Sequence, residues 1–413
     1  DEDYDNPAMI TDFYEFTMAN CLFMHGYKDT VMVFDMFYRE NPDGQGYAIS
    51  CGQHKLVRFL QNYHFNEQDL IWLRSKGMSE EFCEYLRTYK WKGDVYMLRE
   101  GTVCYPQVPM VRIECDMAGA ILIETYLLQT MNFHPLIATK ATRISGLATH
   151  TPRNVMEFGT RRAQGASAGN DGAYAAVLGG CIGTANCLAE MKFGPEVKAV
   201  GTIAHSFIEF FPTELEAFRA YAETYPGNVS LLLDTYNIFE SGLPNLIKID
   251  DELIAKYPDD PDKRVKSARI DSGDLAYLSK KARKMLDEAG FKNATICLSN
   301  SLNAEVILSL RLQDACFDSL GVGDNISKPE GRMGCVYKEV AVIDQGKIIP
   351  KIKLSNDVIK IVNPSFKKLY RAFDKESGYA MADIVCELDE VLPEDAMQIT
   401  SLTHFDTSSV IRN

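Results

Sequence analysis

From Val155 onward the sequence repeats one unit: a short apolar run, a polar or glycine-rich cluster, then a segment with helical spacing. The apolar runs end near Phe158, Ile182, Gly201, Leu233, Ile270, Leu298 and Leu320. Most intervals between them are long enough to hold a crossover helix. About seven such units in succession favour a closed or nearly closed β/α barrel over an open doubly wound sheet. The helical segments carry their own boundary signals. Thr213 to Tyr225 opens T-E-L-E, a capping box, with Leu215, Phe218 and Ala222 on one face. Leu275 to Ala289 aligns Leu275, Leu278, Ala282, Met285, Leu286 and Ala289 on one stripe and stops at Gly290.

The flanking regions have a different texture. Residues 8 to 25 predict a helix with Thr11 or Asp12 available to cap it, and Val31 to Tyr38 predicts a strand. Gly44 to Gly52 predicts a turn and a second strand, and Trp91 to Cys115 continues β-rich with Gly101, Pro106 and Pro109 as punctuation. Ala118 to Met131 and Leu136 to Gly146 predict two helices. After Gly334 strands return in G-C-V-Y-K-E-V-A-V-I, K-I-I-P-K-I-K and K-K-L-Y-R-A-F. The expected organisation is α/β: an irregular β/α barrel over 116–334 and a smaller α+β domain built from 1–115 and 335–413. A chain of 413 residues is long enough for both.

Composition narrows the function classes. A net charge of −14 argues against broad binding to nucleic acid or anionic membrane, while leaving room for a local basic pocket that takes a phosphorylated small molecule. The cysteines never form a C-x-x-C pair, so they predict reduced thiols in a cytoplasmic protein, with no zinc ribbon or redox motif. No apolar run of about 18 residues occurs, and the opening D-E-D-Y-D-N-P lacks the basic and apolar regions of a targeting segment.

In a β/α barrel the chemistry lies at the C-terminal ends of the strands. The residues there are E-F-G-T-R-R at 157–162, G-T-A-N at 183–186, G-T-I-A-H-S at 201–206, D-T-Y at 234–236, R-I-D-S-G-D at 269–274, S-N-S at 299–301 and G-V-G-D-N at 321–325. Arg161 and Arg162 beside Gly159 suit an anion, because guanidinium forks bind phosphate oxygens in pairs, or else a solvated turn. Gly321, Gly323 and Asp324 lie in a stretch that presents backbone N–H groups to a phosphate, or forms an ordinary turn. His205 is open to service as base, phosphate contact or covalent nucleophile, or to a hydrogen-bonded core role. Asp234, Asp271 and Asp274 suit Mg²⁺ or a ribose diol, or helix capping. Arg269 at a strand end needs a carboxylate, either the protein's or a substrate's.

Taken in order, T-D-F-Y-E-F-T-M-A near the start, E-T-Y-L-L-Q-T-M-N-F, E-F-G-T-R-R-A-Q-G, G-T-I-A-H-S-F, L-L-D-T-Y, R-I-D-S-G-D-L-A-Y and G-V-G…G-C-V-Y-K resemble the nicotinate phosphoribosyltransferase family as far as about Lys338. The resemblance implies a type II phosphoribosyltransferase working as a homodimer. Its reaction joins nicotinate to 5-phosphoribosyl 1-diphosphate, with coupled ATP hydrolysis and a requirement for Mg²⁺. It also implies roles: His205 as the histidine phosphorylated by ATP, and Tyr14 and Phe158 as the two faces of a sandwich around the pyridine ring. Tyr14 would serve the other subunit's site. Thr202 and Arg269 match residues near the nicotinate carboxylate, Asp271 a ribose or magnesium contact, and Arg161 and the Gly323 loop phosphate positions.

Three departures accompany the likeness. Asp324 stands where the family often has threonine, and a carboxylate beside phosphate is repulsive unless Mg²⁺ or Lys328 intervenes. Ala185 replaces a common serine, and this neutral residue fits an acid better than an amide, since nicotinamide-using relatives carry aspartate there. The C-terminal end looks abbreviated. The alternatives are therefore a nicotinamide-specific transferase and a catalytically silent nucleotide-binding barrel; a Mg²⁺-dependent lyase or aldolase would leave Tyr14 and the paired arginines unexplained.

Overall fold

The strands expected at Val31 to Tyr38, within Gly44 to Gly52 and within Trp91 to Cys115 form, and the computed structural model, which describes residues 7–147, 154–328, 330–354, 360–391, 397–400 and 408–411, shows how they pair. The chain divides into two compact units, Asp1–Phe133 with Gly331–Asn413, and His134–Glu330. The first unit begins with β1 (Val31–Tyr38), β2 (Ala48–Ile49), β3 (Gly93–Met97), β4 (Val103–Cys104) and β5 (Val111–Asp116). The second contains β6 (Val155–Glu157), β7 (Gly183–Thr184), β8 (Val229–Leu232), β9 (Val265–Ile270), β10 (Thr295–Ser299) and β11 (Ser319–Val322). The chain then returns to the first unit with β12 (Cys335–Asp344), β13 (Lys347–Pro350), β14 (Lys367–Phe373) and β15 (Ala380–Glu387).

In the first unit a five-stranded sheet has the order β13-β12-β1-β5-β3, and β1 pairs antiparallel with both β12 and β5. Strands from the two ends of the chain thus lie side by side. Val33, Met36 and Tyr38 of β1 are fully buried, as the central position requires. The preceding helix is Phe13–Met24, and Asp12 occupies its N-cap position without a capping side-chain bond; Thr11 instead donates its hydroxyl to the Ala8 carbonyl at 2.8 Å.

The helices expected at Ala118 to Met131 and Leu136 to Gly146 are divided differently: a short helix, Met117–Ile121, precedes one continuous helix, Glu124–Leu147, which runs through Pro135. Proline has no N–H to offer the carbonyl four residues back, which is that of Met131. That carbonyl accepts from the Cys335 thiol at 3.2 Å, while Asn132 Oδ1 accepts from the Cys335 amide at 3.0 Å. A partner distant in sequence replaces the lost helical bond, which local periodicity could not reveal.

In the second unit six strands have the order β7-β6-β11-β10-β9-β8, and every neighbouring pair is parallel. The crossovers include helices Ala166–Leu178, Leu243–Lys256, Leu275–Glu288 and Ala304–Leu312. Strand residues Val155, Leu231, Ala268, Ile270, Leu298 and Val322 are fully buried, the pattern of a parallel sheet covered on both faces. Thr213 caps its helix by accepting from the Glu216 amide, and the helix from Leu275 ends ahead of Gly290, whose φ of 91° suits glycine.

One predicted strand does not form. The run ending at Gly201 leaves a single parallel bridge, Ala199 to Thr184, with the Val200 amide donating to the Thr184 carbonyl at 2.8 Å. On the other side the Thr202 hydroxyl donates to the Ser230 carbonyl at 3.2 Å. The stretch between helices Cys187–Phe193 and His205–Phe210 therefore makes only isolated bonds to its two neighbours. The molecule is mixed α/β, with a parallel sheet in one unit and an antiparallel sheet in the other.

Candidate functional site

The strand-end clusters following β6, β9, β10 and β11 converge. They enclose a cavity of about 440 Å³ whose walls include Phe158, Arg161, Arg162, Arg269, Asp271, Gly321, Gly323 and Asp324, together with Ser299 to Leu302 and Asn325. Parallel strands end on the same side of a sheet, so residues far apart in sequence meet there.

Glycine is required where these turns touch. A Cβ on Gly321 would lie 2.4 Å from the Phe158 ring, and one on Gly159 would lie 2.5 Å from Ser327. Their absence lets the turn after β6 dock on the turn after β11, where the Phe158 amide donates to the Val322 carbonyl at 2.7 Å. Phe158 is thereby pinned, with the Arg269 guanidinium carbon 5.7 Å from its ring centroid.

A hydrogen-bonded network centres on Asp271. Its Oδ1 accepts from Arg269 Nη2 at 2.9 Å and from the Ser299 hydroxyl, and Arg269 Nε donates to Ser299 Oγ at 3.0 Å. Its Oδ2 lies 3.8 Å from His205 Nε2, and His205 Nδ1 is 3.0 Å from Thr235 Oγ1. Asp234 Oδ2 accepts from the Asp271 amide and from Ser272, while Asp234 Oδ1 is buried with no hydrogen-bond partner among the described residues. An unsatisfied buried carboxylate oxygen is costly and points to an absent cation or donor.

At the rim, Arg162 Nε is 3.4 Å from Asp324 Oδ1, and both side chains are 56% exposed. The cation beside Asp324 is thus Arg162, where the sequence suggests Lys328 or Mg²⁺. Arg161 is exposed and has no ion-pair partner among the described residues, so its charge is available to a ligand.

The predicted residues separate as follows. Phe158, Arg161, Arg269, Asp271, Gly321, Gly323 and Asp324 line the cavity, and His205 and Asp234 adjoin it through Asp271. Thr202 is one step removed: the carbonyl of its neighbour Ile203 accepts from Arg269 Nη1 at 3.4 Å. Asp274 caps the helix from Leu275 by accepting from the Tyr277 amide at 3.0 Å. Tyr14 belongs to the first unit, where its phenol is raised in pKa, first by burial and then by the charges of Glu124, Glu15 and Asp12.

Sequence reasoning gave no role to three groups. Glu157 is buried, its carboxyl pushed up by burial and held by the Thr184 hydroxyl and the Gly159 amide, which fixes the start of the arginine turn. Thr235 orients His205. In the S-N-S cluster Ser299 is buried against Asp271, and Asn300 and Ser301 hold φ values of 106° and 48°. Two adjacent non-glycine residues in that region are unusual and favour a functional turn. The signal available was their place at strand ends.

Similarity to known proteins agrees with this geometry. A family model for the nicotinate phosphoribosyltransferase N-terminal domain matches residues 9–132. A nicotinate phosphoribosyltransferase of Bacillus subtilis is 38% identical over 94% of this chain and 77% of its own length. One of Mycobacterium tuberculosis is 34% identical, covering 96% of this chain and 82% of the relative. Among solved structures, human nicotinic acid phosphoribosyltransferase superposes with a TM-score of 0.81 at 26% identity, covering 97% of this chain and 86% of that one.

Proposed function

The chain belongs to the nicotinate phosphoribosyltransferase family, and from that premise we propose how its residues carry out the transfer. The activity serves NAD biosynthesis. The pyridine nitrogen of nicotinate attacks the anomeric carbon of 5-phosphoribosyl 1-diphosphate, the C–O bond to the diphosphate breaks, and pyrophosphate leaves with its electrons. The observation that carries this reading is the convergence of Phe158, Arg269, Asp271, Arg161 and the Gly321–Gly323 turn on one cavity.

Each residue answers a need of that reaction. Phe158 offers a ring face for the pyridine, Arg269 a guanidinium for its carboxylate with Thr202 nearby, and Arg161 with the Gly321 and Gly323 backbone takes phosphate oxygens. Orientation and charge neutralisation do most of the work, and no strong base is required. Asp324, already paired with Arg162, borders the phosphate side without presenting an unbalanced charge.

Asp234 and Asp271 would hold Mg²⁺ together with substrate oxygens, since magnesium commonly uses one or two carboxylates plus phosphates. The unpartnered Asp234 Oδ1 supports that fit. The ion, when bound, supplies positive charge to the departing diphosphate. ATP is the co-substrate: its γ-phosphoryl passes to His205, ADP leaves, and water later releases phosphate. With Nδ1 engaged by Thr235, Nε2 faces Asp271 as the acceptor atom.

The finer architecture we propose is an irregular β/α barrel in which residues 198–203 stand in for a strand between β7 and β8, supported by the bonds to Thr184 and Ser230. The assembly is a cytoplasmic homodimer in which Tyr14 serves the second copy's site. Tyr14 is exposed on its helix beside exposed Phe13 and Met18, which supports that placement.

The test is mononucleotide formation from nicotinate and 5-phosphoribosyl 1-diphosphate with and without ATP. Absence of product under both conditions overturns the reading, and diphosphate binding without turnover identifies a silent barrel. Equal concentrations of nicotinate and nicotinamide should give the acid's product, consistent with a neutral Ala185.

A further inference from the structure

We infer that Ser299 is a positioning residue for substrate recognition, dividing the two oxygens of Asp271 between Arg269 and His205. The inference rests on the reading of Arg269 as the nicotinate-carboxylate site. Ser299 is buried at the end of β10, and its hydroxyl makes two bonds in opposite senses. It donates to Asp271 Oδ1 and accepts from Arg269 Nε at 3.0 Å. Arg269 Nη2 reaches the same Oδ1 at 2.9 Å, so serine, arginine and aspartate close a triangle.

The triangle has two consequences. It fixes the guanidinium: Nε is spent on Ser299, one side of Nη2 on Asp271, and Nη1 reaches the Ile203 carbonyl at 3.4 Å, which holds the plane beside the Phe158 ring. It also fixes the carboxylate: with Oδ1 committed, Oδ2 is the oxygen left facing His205 Nε2 at 3.8 Å. The groups around Asp271 are thus Arg269 on its own strand end, Ser299 from β10, His205 from the helix His205–Phe210, and Asp234, which takes the Asp271 amide. Without the Ser299 hydroxyl, Arg269 and Asp271 keep a single mutual contact and can pivot about it, and Oδ1 is free to compete with Oδ2 for His205. An arginine that pairs more freely with its own aspartate is less available to a substrate carboxylate.

Calorimetric titration of nicotinate and of 5-phosphoribosyl 1-diphosphate into the wild type, Ser299→Ala, Ser299→Thr and Arg269→Ala tests this, with thermal melting to establish folding. Ser299→Ala should lose at least about tenfold in nicotinate affinity, as expected for a hydrogen bond to a charged group, with its diphosphate affinity, titrated without Mg²⁺ so that Asp271 adds no metal contact, and its melting temperature near wild type. Ser299→Thr, which keeps the hydroxyl, should recover most of the loss. Wild-type nicotinate affinity in Ser299→Ala beside a loss in Arg269→Ala overturns the positioning role and leaves the Arg269 reading standing. Undiminished affinity in Arg269→Ala overturns that reading and the inference with it. Equal losses for both substrates, or failure of the threonine variant to recover, mark Ser299 as merely structural and also overturn it.

Discussion

Asp35 and Asp271 both meet an arginine, yet the two regions treat the pair in opposite ways. In the antiparallel sheet Asp35 is 1% exposed and is held by Arg112 Nε at 2.9 Å and by Lys367 Nζ at 2.7 Å, cations that are themselves nearly buried. At the ends of the parallel strands Asp271 is 29% exposed, shares one oxygen with Arg269 and Ser299, and turns the other toward a histidine. The first arrangement pairs each carboxylate oxygen with a cation and ties β1 to β14. The second retains unspent hydrogen-bonding capacity beside a cavity. Residue type alone does not distinguish structure from chemistry; burial and the pairing of charge do.

The sharpest way to break that contrast is Asp35→Ala. It leaves Lys367 and Arg112 buried without their counter-charge and should cost about 3–5 kcal/mol of stability, read from the denaturation midpoint. A loss below 1 kcal/mol would show that the cluster is not holding the sheet. Arg269→Ala should weaken nicotinate binding by about 2–5 kcal/mol if the guanidinium meets a desolvated carboxylate, and an unchanged Michaelis constant for nicotinate rejects that role.

A buried group that is only half satisfied sharpens the contrast further. Glu15, in the first unit, is fully buried, accepts from the Thr125 hydroxyl, and has its other oxygen without a partner among the described residues. Burial pushes its carboxyl up to about 7, against an ordinary 4.5, with the Thr125 bond opposing and the Glu124 charge adding. The folded state therefore holds this proton more tightly than the unfolded state. The stabilisation is fully present below pH 4.5 and is lost as pH rises through 7, amounting to about 3 kcal/mol across the window. Glu15→Gln should remove that slope from the pH profile of unfolding, and an unchanged slope would assign it to other groups. The smallest expected effect is at the rim: Arg162→Ala breaks an exposed pair and should change stability by less than about 1 kcal/mol. A larger loss would place the pair with the structural ones.

Much of this was legible in the sequence. Five of the apolar runs became parallel strands, since their Val, Ile and Leu content and their spacing encode burial on both faces, whereas the run ending at Ile182 closes a helix and its turn and the short strand Gly183–Thr184 follows it. The cavity followed from them, because parallel strands leave only one end for Arg161, Arg269, Asp271 and Gly323 to share. What stayed hidden depends on contacts distant in sequence. Nothing local says that Cys335 takes the carbonyl released by Pro135, or that Ser299 lies between Arg269 and Asp271. Arg162 as the partner of Asp324 was equally invisible, for it requires the turns after β6 and β11 to be known neighbours. The pairing of β1 with β12 escaped local pattern too, although similar strand character at both chain ends hinted at it.

The thin seam between β7 and β8 has a consequence for the molecule in time. Elsewhere neighbouring strands of the parallel sheet share ladders, whereas residues 198–203 are tied to Thr184 by two backbone bonds and otherwise by side chains, those of Glu190, Thr202 and Arg269. Deuterium should therefore enter the Val200 amide well before those of β9 and β10, because opening this seam breaks few backbone bonds. His205 begins the helix directly after the seam, so the segment that bears the histidine can breathe while the Gly321 turn, docked on Phe158, keeps its shape.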